Sequence, residues 1–215
     1  MPISLQHKCI FIHIPKTGGT SIEYALGMFG QWQIEDRNAM FGLIGSADLL
    51  ALPLKTSYLQ HLSWSELQMI GKLKQLDLCS SFAWVRNPCD RFVSAFTKLD
   101  PHMLEEAGKA GLHLGGLTFS DFVDAVEGFE HVHLRPQSDF IYGADGQLQV
   151  DFVGRYENFD RDFRRLCKWL KVTNALLPHK NASQHRPYHE YYDARTLRKI
   201  KQRYAWDFEL LEYTQ

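Results

Sequence analysis

A lysine, two adjacent glycines and three hydroxyls stand together at Lys16, Thr17, Gly18, Gly19, Thr20 and Ser21. Residues of these types in this order suit an oxyanion. Glycines let main-chain N–H groups approach oxygen atoms, hydroxyls add donors, and the lysine adds a point charge. Other reactive side chains lie further on. His61 ends a short apolar stretch, and histidine is the side chain best suited to taking a proton near neutrality. Arg86 ends a second apolar stretch, with Ser94 eight residues beyond it. Each has a plain alternative: an ordinary strand-to-helix turn for the glycines, a buried structural histidine for His61, and an ion pair with Asp90 for Arg86.

These residues need elements to hold them. Cys9-Ile10-Phe11-Ile12-His13-Ile14 is a near-continuous apolar run, as expected of a parallel strand buried on both faces, and Pro15 stops it. Ile22, Leu26 and Phe29 recur at one face of a helix, and Thr20 with Glu23 predicts a capping box at its start. A helix start there would favour negative charge. Further strands are predicted at 55–59, 81–85 and 150–154. Ser63 to Glu66 reads as a second capping box, opening a helix through Leu67, Ile70 and Leu73. Asn87 and Pro88 suit the cap and first position of a helix carrying Phe92, Val93 and Phe96. Pro101 to Gly116 reads as an excursion able to act as a lid. Helices are predicted from Thr118 to Val126, after Asn158, and from Asp193 to Tyr204.

The whole, 1–215, reads as one α/β, P-loop-like domain with a central parallel sheet flanked by helices. In such sheets ligands bind beyond the carboxyl ends of the strands. Three predicted strands end at Lys16, His61 and Arg86.

Composition narrows the partners. The hydrophobic fraction of 45% and charged fraction of 23% are those of a globular chain, and the net charge of -1 argues against a nucleic-acid-coating surface. No run approaches the roughly 18 apolar residues of a membrane span. Cys9, Cys79, Cys89 and Cys167 lie apart, a pattern of reduced thiols in a cytosol rather than of a disulfide or zinc framework. His131 and His133, and His179, His185 and His189, join no convincing partner cluster, so no metal is expected.

The loop is not a Walker A motif, in which the lysine follows the second glycine. The stretch IHIPKTGGTS resembles instead the 5′-phosphosulfate loop of sulfotransferases, in the branch acting on carbohydrate hydroxyls. WVRNPCDRFVSAF resembles that family's 3′-phosphate motif, and the resemblance continues more weakly through VDFVGRYENFDRDFRRLCKWL and the C-terminal segment. It implies 3′-phosphoadenosine 5′-phosphosulfate, PAPS, as sulfuryl donor, with 3′-phosphoadenosine 5′-phosphate, PAP, as product and no metal. Residues Lys16 to Ser21 would take the 5′ side, and Arg86 with Ser94 the 3′-phosphate. Lys16 would serve the leaving oxygen and His61 the acceptor's proton. Similar 2-O-sulfotransferases keep a histidine between the two motifs and a second one two residues later, where this chain has Ser63. Glu23 is the alternative base. Lys180, Asn181 and Ser183 would close over the nucleotide, and Arg155 with Glu157 would be ligands or an ion pair. The acceptor is expected to be a carbohydrate or small metabolite. A P-loop nucleotide kinase and a non-catalytic nucleotide-binding protein are the competing readings, and the oligomeric state is open.

Overall fold

Continuous burial organises the sheet. In a computed structural model, which describes residues 2–30, 34–71, 79–173, 175–178 and 186–214, Cys9–Ile12 forms a strand buried at every position. It is β2 of four: β1 (Ile3–Ser4), β2, β3 (Ser80–Val85) and β4 (Phe152–Arg155), in that spatial order. The β2–β3 and β3–β4 pairs are parallel, with Phe11 opposite Phe82 and Phe82 opposite Phe152, while β1 is an antiparallel edge. The helices are α1 (Gly19–Ala25), α2 (Ala47–Leu50), α3 (Trp64–Ile70), α4 (Pro88–Thr97), α5 (Pro101–Lys109), α6 (Phe119–Ala125), α7 (Ser138–Ile141), α8 (Phe159–Leu170), α9 (Ala194–Arg203) and α10 (Ala205–Leu210). The expected α/β class, a mostly parallel sheet flanked by helices, is what the chain adopts.

The chain divides into two compact units, Met1–Val85 with Asp139–Asn181, and Arg86–Ser138 with Ala182–Gln215. The first holds the sheet. Because strand residues alternate between faces, Cys9 and Phe11 point to one side. There they meet Ile22 of α1, Leu26 just past its end, and Phe163 and Leu166 of α8 in one apolar cluster. Phe11 stacks on Phe82 at 4.9 Å between ring centroids. Burying each such side chain contributes about 1.5–3 kcal/mol. The second unit is helical. Phe92 of α4 packs against Phe119 and Phe122 of α6 and Tyr204 beyond α9, a core with no strand in it among the described residues.

Several expectations about elements are corrected. The segment 55–59 is not a strand: it forms a single bridge, Leu43 with Tyr58, and runs into a 3-10 turn at Leu59–His61. Tyr58 and Leu59 are buried, and the Leu59 N–H donates to the Gly42 carbonyl at 2.9 Å. The excursion after Pro101 is largely the helix α5. Asp100 caps it, accepting from the His102 and Met103 N–H groups, and Met103 and Ala107, four apart, are buried. The Thr20–Glu23 capping box does not form. Gly18, in the left-handed region at φ 84°, takes the cap position with no side-chain bond. Two caps follow expectation. Ser63 and Glu66 exchange both bonds of the box, and Asn87 accepts from the Cys89 N–H at 3.0 Å ahead of Pro88. The helix predicted through Leu73 ends at Ile70, because Gly71 turns left-handed at φ 73° and caps it; Leu73 lies outside the described residues.

Candidate active site

The period of two that puts Phe11 toward α1 carries on past the strand end. His13 is the next residue on that side, stacked on Phe11 at 5.1 Å. It lies under Gly19, where a Cβ would sit 2.3 Å from the imidazole, so no larger residue fits. One helical turn beyond Gly19 comes Glu23. Its carboxylate accepts a hydrogen bond from His13 Nδ1 at 2.6 Å, and both residues are buried. This explains the lost capping box: Glu23 turns inward to the histidine.

His13 also holds His61. Its carbonyl oxygen lies 2.9 Å from His61 Nδ1, and the rings meet edge to face at 4.7 Å. A carbonyl can only accept, so Nδ1 carries the proton and Nε2 of neutral His61 is left as the acceptor. The 3-10 turn holding His61 is tied in place through Gln60, whose Oε1 accepts from the Gly42 N–H at 3.2 Å. His61 is therefore held against the main chain at His13, three residues before Lys16, by a turn and not at a strand end.

The loop is formed by near neighbours. Thr17, fully buried, donates its hydroxyl to the Ile14 carbonyl at 2.8 Å, so that hydroxyl belongs to the loop itself. Lys16 sits at φ 71°, a left-handed conformation a non-glycine residue adopts at some cost. Gly18 must be glycine twice over. Its φ is positive, and a Cβ would meet the Phe159 ring at 2.8 Å. Thr20 and Ser21 open α1, a helix of seven residues. With so short a helix, the loop's own N–H groups and Lys16 matter more for an anion than the summed helix dipole.

In the second unit, Arg86 comes immediately before the Asn87 cap of α4. Its Nε donates to Asp90 at 2.7 Å, so the ion pair with Asp90 is present. Asp90 and Ser94, four residues apart, share one stripe of α4, and Arg86 and Ser94 are both buried. The Arg86 main chain is held on both sides by Gln137.

A model of the sulfotransferase family matches residues 2–214. The chain belongs to the sulfotransferase family. No curated protein and no solved structure matches it. Membership makes it a transferase of sulfuryl groups. Among the described residues of this sulfotransferase, no three His, Cys, Asp or Glu side chains are grouped to hold a metal, and no helix is long and apolar enough to cross a membrane. Burial pushes the Cys9 thiol up to about 12 and the Cys89 thiol up to about 11, so neither is a nucleophile near neutrality. Lys180, Asn181 and Ser183 lie outside the described residues, as do His179 and His185. His13 escaped a reading by hydrophobic pattern because it sits inside an apolar run. The signal was there: a lone imidazole two residues beyond Phe11, on the side that Glu23 shares. Gln137 and Asp207 carried no comparable signal.

Proposed function

We propose that this sulfotransferase moves the sulfuryl group of PAPS to a carbohydrate or small-metabolite hydroxyl without a metal ion. The observation that carries the reading is the hydrogen bond from His61 Nδ1 to the His13 carbonyl, three residues before Lys16, which puts the ring proton on Nδ1 and makes Nε2 the basic nitrogen.

The donor set suits the nucleotide. Lys16, the loop N–H groups and the hydroxyls of Thr20 and Ser21 offer one cation and several hydrogen bonds for the 5′-phosphosulfate. Arg86 and Ser94 offer a charge-assisted grip for the 3′-phosphate. In the reaction the acceptor hydroxyl oxygen forms a bond to sulfur while the bond from sulfur to the bridging phosphate oxygen breaks. His61 Nε2 takes the hydroxyl proton, Lys16 meets the charge growing on the leaving oxygen, and PAP departs. Glu23 is the second choice as base, but its carboxylate is engaged by His13 at 2.6 Å. Four free thiols suit a reducing compartment such as the cytosol.

The test is a thermal melt with PAP in the presence of a chelator, followed by turnover of labelled PAPS over a panel of sugars and small alcohols. PAP should raise the melting temperature unaided; at a hundredfold excess over its Kd the gain is about 2.7 kcal/mol. A melt that responds only to ATP with magnesium would point to the kinase, and PAP binding with no sulfated product from any acceptor to a silent binder.

A further inference from the structure

The peptide that carries the Arg86 guanidinium is held by a side chain 51 residues away. Gln137 is fully buried. Its Oε1 accepts from the Arg86 N–H at 2.9 Å and its Nε2 donates to the Arg86 carbonyl at 2.8 Å. One amide thus answers both main-chain groups of one residue, as a neighbouring strand would. Gln137 is fixed in turn by Asp207 of α10, also fully buried. The two Asp207 carboxylate oxygens accept from the Gln137 N–H at 2.9 Å and the Ser138 N–H at 2.8 Å, and Gln137 Nε2 lies 3.4 Å from the first of them. Only this orientation of the amide puts its NH2 against acceptors and its oxygen against a donor. Asp207 also serves Arg91, which is fully buried: burial lowers the arginine's pKa, and the charge of Asp207 counters that.

The turn from β3 into α4 does not need this device to form, since Asn87 and Pro88 already start the helix. Burying an amide and a carboxylate costs free energy unless every polar atom is answered. Here the two shorter hydrogen bonds of the amide's head converge on the main chain of Arg86. A guanidinium stands several bonds from its Cα, so a small rotation of the peptide becomes a large displacement of the head. Asp90 holds the side chain at Nε, and Gln137 holds the main chain.

We propose that Gln137 and Asp207 are positioning residues for anion recognition: they aim Arg86 at the 3′-phosphate of the donor nucleotide. This rests on the reading of Arg86 given under Proposed function, and the test keeps the two apart. Calorimetry on the full chain compares PAP with adenosine 5′-phosphosulfate, which lacks the 3′-phosphate. Arg86→Ala sets the reference. Gln137→Ala should weaken PAP by roughly 10- to 100-fold, the scale of one charge-assisted hydrogen bond, and leave adenosine 5′-phosphosulfate within about twofold. Adding Gln137→Ala to Arg86→Ala should cost little more, because the lock acts through the arginine. Equal losses for both ligands, no loss, or full additivity would overturn the proposal.

Gln137→Glu gives a second handle if the alanine variant does not fold. The introduced carboxyl, when neutral, can donate to the Arg86 carbonyl as the amide does; ionised, beside Asp207, it cannot. The variant's preference for PAP, relative to wild type at the same pH, should therefore recover on acidification, and a preference that does not change with pH overturns the proposal. A wild type that does not distinguish the two ligands, or an Arg86→Ala that still does, removes the assignment of Arg86 and this proposal with it. That result differs visibly from one in which Arg86 matters and Gln137 does not.

Discussion

Lys16 and Arg86 each follow a parallel strand as the chain turns toward a helix, yet they are secured by different means. Around Lys16 the loop's own bonds are near in sequence. Thr17 bonds Ile14, Gly18 supplies the left-handed turn, and His13 bonds Glu23 ten residues on. Around Arg86 the decisive partners are far: Gln137 at 51 residues, and Asp207 another 70 beyond that. A site built from neighbours survives as a motif and fails locally. A site held by remote side chains can be damaged from the end of the chain without any change in its motif.

The largest effects should fall on the first region. His61→Ala is expected to lower turnover by roughly 10²–10⁴-fold while PAP affinity stays near wild type, the signature of a lost general base. Lys16→Ala should damage both if, as proposed, the lysine meets the donor before and during transfer. Steady-state rates paired with calorimetry separate the two, and a folded His61→Ala protein of wild-type rate would make His61 structural and the contrast with Arg86 weaker.

Gly19→Ala sharpens the same contrast through packing. The added methyl would lie 2.3 Å from the His13 ring, so His13 must leave Glu23 or α1 must shift. A stability loss of about 1–3 kcal/mol in urea unfolding is expected, with turnover falling alongside. If stability and rate both match wild type, His13 is not the pivot of this region.

For the second region, Arg86→Ala should cost PAP about 1.5–3 kcal/mol and adenosine 5′-phosphosulfate little, with Ser94→Ala following at a smaller magnitude. Competition binding against both ligands measures it. A loss shared equally by the two would show that Arg86 supports the fold and does not read the phosphate.

The smallest effect concerns stability and pH. His131 of the second unit is buried, and burial lowers its pKa, only partly offset by Glu106 and Asp100. The unfolded chain then takes up a proton more readily than the folded one. Stability from this group is present above the ordinary histidine value of about 6.5 and is lost as pH falls below it. The melting temperature should drop between pH 7 and pH 5.5 by more in wild type than in His131→Gln. Identical slopes would locate the acid sensitivity elsewhere.

The sequence alone determined the strand at Cys9–Ile12, the glycine turn after it, the caps at Ser63 and Asn87, and the α/β class. Each depends on residues within a few positions of one another, where steric rules and hydrogen-bond spacing act directly. The family was legible for the same reason, since its motifs are short and contiguous. Tertiary structure decided the rest. Glu23 had two partners within reach, the Thr20 cap and His13, and the burial of His13 under Gly19 chose between them. His61 was expected at a strand end, but that stretch pairs with residues 42–44 by only one bridge and turns through a 3-10 helix. Gln137 and Asp207 look like ordinary surface polar residues in a one-dimensional reading. They are buried because the fold brings Arg86, Gln137 and α10 together, and a buried polar group must find its partner wherever along the chain that partner lies.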